Sequence, residues 1–210
     1  MSITRRVKRL LGLSMATAMI VALLPAGMAA AVDSADEIEA CEDSEGRVEF
    51  GDTLGAHAAN IHCMAAFGIT VGDTDGNFNT GGEVNRQQMA LFIARFLAQA
   101  EAGTTDIPSS DEDAFDDIAG INPDEARHAI NWLAERDVTE GVGDGTSYEP
   151  GEAVSRQQMA SFIARALVDL GYTLPDPADS DVLGDTDRIA DVHLDNVLRL
   201  YADGVVEGYG

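Results

Sequence analysis

At 210 residues and 45% apolar content, the chain is long enough for one compact domain or two small ones and too short for a large multidomain enzyme. Its formal charge of −24 excludes a nucleic-acid reader that works by neutralising phosphates. Four basic residues, Arg5, Arg6, Lys8 and Arg9, crowd the start; beyond residue 31 nine arginines face 37 acids, a balance of −28, and there is no lysine. Such a surface stays soluble and repels polyanions except where arginines gather or cations bridge.

Residues 1–31 have the three parts of an export signal: the basic stretch TRRVKR, an uncharged stretch from Leu10 to Leu24, and the run Ala29, Ala30, Ala31 before acidic sequence. Length alone would also let the 23 uncharged residues from Leu10 to Val32 span a membrane, but Pro25, Gly27 and the alanines favour cleavage and no membrane association afterwards. Export gives meaning to the two cysteines, Cys41 and Cys63, because a lone pair outside the cell usually forms a disulfide. The competing reading, a metal site with His57 and His62, has no usual zinc spacing.

Self-comparison carries the most information. Residues 86–95 read RQQMALFIAR and residues 156–165 read RQQMASFIAR, differing only at Leu91 and Ser161. Upstream, Ile61, Met64, Ile69 and Asp75-Gly76 answer Ile130, Leu133, Val138 and Asp144-Gly145, and Phe50-Gly51-Asp52 answers Phe115-Asp116-Asp117. A partial third copy follows, in which Val197 and Leu200 answer Ile130 and Leu133. The expected layout is an N-terminal segment at 32–48, repeats at 49–98 and 114–171, an acidic linker at 99–113, a second linker at 172–187, and a partial repeat at 188–210.

Each repeat reads as helix, loop, helix. Asn85 and Ser155 are expected N-caps, with Gln88 and Gln158 closing capping boxes. Behind them Met89, Phe92, Ile93, Phe96 and Leu97, and Met159, Phe162, Ile163 and Leu167, fall at helical spacing and predict a core face. Gly171 is expected to end the second of these helices. For the preceding helix, Asn122-Pro123-Asp124-Glu125 predicts Asn122 as N-cap with proline in the first turn and two acids suited to the helix dipole.

An aromatic-x-Asp start, an amphipathic helix, an Asp-Gly loop and then Val-x-Arg-x-x-Met-Ala with an Ile-Ala-Arg run resembles the S-layer homology (SLH) repeat. The resemblance covers roughly residues 49–97 and 114–170, with a partial copy from about 188. It implies a mainly α fold, tandem helix-loop-helix repeats packed as a pseudo-threefold helical assembly. It also implies a cell-wall or S-layer location and non-covalent binding of a secondary cell-wall polysaccharide, with other S-layer proteins as further partners. The family's Thr-Arg-Ala-Glu motif, whose arginine helps grip an acidic sugar, stands here as Asn85-Arg86-Gln87-Gln88 and Ser155-Arg156-Gln157-Gln158. Arg86 and Arg156 are therefore the expected glycan contacts, since a guanidinium meets a carboxylate bidentately. Pairing with Glu83 and Glu152 is the local alternative. Trp132, one turn from His128, is the third candidate for a sugar-lining residue.

No histidine sits in a serine or cysteine catalytic motif, so catalysis and cofactors are not expected. Asp73-Thr74-Asp75-Gly76-Asn77 opens like a calcium loop, but Phe78 and Val84 occupy the positions where an EF-hand needs glycine and a bidentate acid. Weak calcium bridging across residues 109–117 is the remaining cation reading. Two alternatives to a simple anchor are the targeting module of a longer exported enzyme and a calcium-assisted S-layer subunit.

Overall fold

The computed structural model describes residues 50–208 except 54–56 and 111. The export signal and Cys41 lie outside the described residues. Five α-helices follow in order: α1 (Ala58–Ala66), α2 (Arg86–Ala102), α3 (Asp124–Glu135), α4 (Arg156–Asp169) and α5 (Asp191–Ala202), with 3-10 turns at Ser180–Val182 and Thr186–Arg188 before the last. Among the described residues none of these helices is long and apolar enough to cross a membrane.

Both expected capping boxes form. The Asn85 and Ser155 side chains accept from the Gln88 and Gln158 N–H groups, and each glutamine reaches back to its cap backbone. The first turn of α2 is also closed from a distance: the N–H groups of Arg86 and Gln87 donate to the carbonyls of Glu152 and Pro150 in the second repeat. Helix α2 runs on to Ala102, past residue 98, because QAEA continues a good helix-forming sequence until Gly103 takes the left-handed conformation. Gly171 takes the same conformation after α4. The cap of α3 differs from expectation. Pro123, at ψ 154°, is itself the N-cap and no side chain caps the helix, so Asn122 stands outside. An extended ψ places proline before the first helical residue and leaves the dipole to Asp124 and Glu125.

Each second helix packs on the helix that follows it: α2 on α3, and α4 on α5, while α2 and α4 also touch. One continuous core results, including Ile93, Leu97, Ile130, Leu133, Leu167, Val197 and Leu200. The start of the first repeat keeps a separate small cluster of Phe50, Ile61 and Ala65 against Phe78. Cys63 is fully buried beside Ala59 and Phe67. Cys41, its expected disulfide partner, lies outside the described residues.

The aromatic-x-Asp start has the same task in both copies. Asp52 accepts from the N–H groups of Phe78 and Thr80 at 2.8 and 3.0 Å, and Asp117 from those of Tyr148 and Glu149 at 2.8 Å each. The carboxylate thus ties the start of each repeat to the loop entering its second helix. Those donors, Thr80 first and then Phe78, hold the Asp52 carboxyl below its usual range. Asp117→Ala leaves two backbone donors without this partner, and is expected to lower Tm by about 5 °C in thermal denaturation. Behind the last helix, Tyr172 Oη donates to Asp203 Oδ1 at 2.9 Å, fastening the 172–187 segment to α5, and burial with this bond pushes the phenol up to about 12.

Candidate functional site

A groove of about 460 Å³ opens between the head of α2, the loop that follows α3, and helices α4 and α5. The first repeat contributes Arg86 at the head of α2; the second contributes the stretch from Val138 to Gly143 and, from α4, Gln158, Ser161, Phe162 and Arg165; α5 contributes Val192 and His193.

Arg86 forms the floor and is only 4% exposed. Its guanidinium lies over the Tyr148 ring at 4.6 Å and within 5.8 Å of the Phe162 ring. Nε donates to the Tyr148 carbonyl at 2.5 Å, and Tyr148 Oη donates back to the Arg86 carbonyl at 3.0 Å. These reciprocal bonds join residues 62 apart in sequence and lock the first repeat onto the second. No described residue accepts a hydrogen bond from the terminal amino groups of Arg86. The guanidinium therefore braces the fold with one edge and keeps donors for the groove.

Arg165 forms the wall. It pairs with Glu140 at 2.9 Å, and with 66% of the Glu140 side chain exposed this bond is a weak one that an entering anion can replace. His193 also lines the groove, its Nδ1 2.8 Å from Ser161 Oγ, which also receives Asn196 Nδ2 at 3.1 Å. Burial, followed by the positive charges of Arg165 and Arg86, holds the imidazole below its ordinary value of 6.5. Two arginines and a histidine thus face a single acid in a chain whose body carries −28. The groove is a local cationic site suited to an anionic group.

The three sequence candidates are not brought together. Arg86 is in the groove. Arg156 is exposed at the head of α4, where Nη2 lies 3.5 Å from the Glu207 carbonyl beyond α5. Trp132 does not line this groove: it packs partly buried on the core and is covered by Arg136, whose guanidinium lies 4.7 Å from the ring and pairs with Glu101 and Asp169. Its neighbour His128 lies 3.5 Å from Asp124 on its own helix.

Arg165, Ser161, Glu140 and His193 were not singled out by sequence reasoning, although one signal was visible. Ser161 and Leu91 are the only difference between two otherwise identical ten-residue segments, and Ser161 is the groove residue. Among the described residues no group of three or more His, Cys, Asp or Glu side chains could hold a metal ion. Asp73 and Asp144 instead close their own turns: Asp73 Oδ1 accepts from the Asp75 and Asn77 N–H groups, and Asp144 Oδ1 from Thr146. A family model described as S-layer homology domain matches residues 49–90 and 114–160. Comparison with curated proteins returns no match.

Proposed function

Because residues 49–90 and 114–160 are S-layer homology repeats, non-catalytic modules with a general cell-wall and S-layer anchoring role, we propose that this chain anchors by gripping an acidic sugar of a secondary cell-wall polymer in the Arg86–Arg165 groove. The observation that carries this reading is the convergence of two guanidinium groups around one exposed acid in a strongly anionic chain. Arg165 supplies a planar donor pair once Glu140 is displaced, and Arg86 supplies the amino groups that the fold leaves to the groove. Confining cations to the groove lets a negative protein bind a negative polymer, because the remaining repulsion is screened in salty surroundings. Arg156 is the matching contact at the second-to-third repeat junction. Trp132 would serve as a sugar-stacking face only where Arg136 lifts from it. Residues 1–31 serve as the export signal in this reading, and Cys41 with Cys63 as a disulfide joining the N-terminal segment to α1.

Arg165→Gln tests the groove without removing a brace of the fold. Calorimetric titration with acid-extracted wall polysaccharide at moderate salt is expected to show about tenfold weaker binding than the unsubstituted chain, with an unchanged melting temperature. Equal affinity in the two proteins would place the polymer elsewhere.

A further inference from the structure

The two inter-repeat contacts are built on one plan, and they differ where the groove lies. Helices α3 and α5 correspond residue for residue at an offset of 67, since Asp124–Glu135 and Asp191–Ala202 share both bounds. Helices α2 and α4 correspond at an offset of 70 from their identical RQQMA starts. At the first contact Arg95 of α2 is held in a two-point ion pair by Glu125 of α3, at 3.1 and 2.8 Å. The matching positions at the second contact are Arg165 and Val192, so Arg165 has no such partner on α5 and turns to the exposed Glu140. Leu91, Ala126 and Ala129 at the first contact become Ser161, His193 and Asn196 at the second. An aliphatic, internally neutralised contact has been replaced by a polar one with an available arginine.

The three exchanged residues bond to one another. Asn196 donates to Ser161 Oγ, which leaves the serine hydroxyl proton for His193 Nδ1 while the imidazole is neutral. When Nδ1 carries a proton the same hydroxyl turns and accepts from it, so either protonation state is satisfied without moving a backbone atom. The charged groups around the ring are Arg86 from α2, Arg165 from α4 and Glu140 from the loop, with Asp191 and Asp195 on its own helix. Burial, and then the positive charges of Arg165 and Arg86, disfavour the imidazolium in the empty groove, and an anion arriving between them would offset those charges.

We propose that His193 is a proton-coupled contact for the acidic sugar, becoming imidazolium as the sugar's carboxylate enters between Arg86 and Arg165. This rests on the groove being the polymer site. Binding then carries a proton with it, and attachment strengthens as the surroundings acidify through the histidine range.

The test is co-sedimentation of the full chain with polymer-bearing cell walls at about pH 5.5 and about pH 7.5 under fixed salt, comparing the unsubstituted protein with His193→Gln. Roughly five-fold tighter binding at the lower pH is expected for the former and no pH difference for the latter. The same pH dependence in both proteins overturns the role of His193 and leaves the groove reading intact. Absence of binding at either pH overturns the groove reading and this inference together. Should His193→Gln fail to fold, NMR titration of the His193 ring in the unsubstituted protein decides: its pKa rises when acid-extracted wall polysaccharide is bound, and an unmoved pKa in the bound state refutes the coupling.

Discussion

Arg86→Ala is expected to destabilise the protein by about 3 kcal/mol in urea denaturation, although arginine in a first helical turn is ordinarily a surface residue. Three losses combine. The Tyr148 carbonyl loses a charge-assisted donor, the faces of Tyr148 and Phe162 lose the cation over them, and a cavity opens under a side chain that is 4% exposed. Relief from desolvating the guanidinium offsets part of this sum. Arg86→Lys should fall between, since ammonium preserves the charge but cannot reproduce the planar Nε contact. A loss below about 0.5 kcal/mol for Arg86→Ala would mean that the lock between repeats is formed elsewhere. The same result bears on function: weakened wall binding by Arg86→Ala mixes folding with recognition, and for that reason Arg165 is the cleaner probe.

Gly141→Ala is expected to cost a comparable amount, about 3 kcal/mol, from two separable causes. Gly141 has φ +75°, a region that L side chains rarely adopt, and a Cβ there would stand 2.6 Å from both Phe115 Cε1 and the Ser147 carbonyl oxygen. The oxygen belongs to backbone that is tied in place by the Val142 N–H bond to Ser147, so the clash has no cheap escape. Gly143→Ala isolates the first cause: φ is +61° but no atom lies within 4 Å, and about 1 kcal/mol is expected. Similar melting curves for the two variants would show that the 141 site relaxes freely. The arrangement recurs in the first repeat, where a Cβ on Gly72 would stand 2.4 Å from Phe50 Cε1 and 2.7 Å from the Asn77 carbonyl oxygen. In both copies, therefore, the opening aromatic presses on the loop glycine while the aspartate two residues later holds the end of that loop.

Much of this architecture was legible in the sequence because it is local. Asn85 and Ser155 announce their capping boxes within four residues, and the spacing of Ile93, Leu97, Ile130 and Leu133 announces the buried faces. Asn122 misled because a cap is defined by backbone angles, and the extended Pro123 fills that position itself. The groove was harder to read because its parts are distant. Arg86 meets Tyr148 across 62 residues, and Ser161 meets His193 across 32. Resemblance pointed to Arg86 from its place in the motif, yet nothing in the motif says that the guanidinium is buried between two rings. Trp132 drew attention through its spacing of one turn from His128, whereas Arg136, one turn further along, lies over its face.

The central claim, anchorage through an acidic wall polymer, is tested most directly by sedimenting the folded chain with cell walls before and after acid stripping of their secondary polymer. A salt series is part of the measurement, because a body charge of −28 can prevent contact at low ionic strength by repulsion alone. Binding to intact walls at moderate salt that disappears on stripping, and weakens in Arg165→Gln, is the predicted result. Equal binding to stripped walls, or none at any salt by a protein with an intact melting transition, would contradict the account.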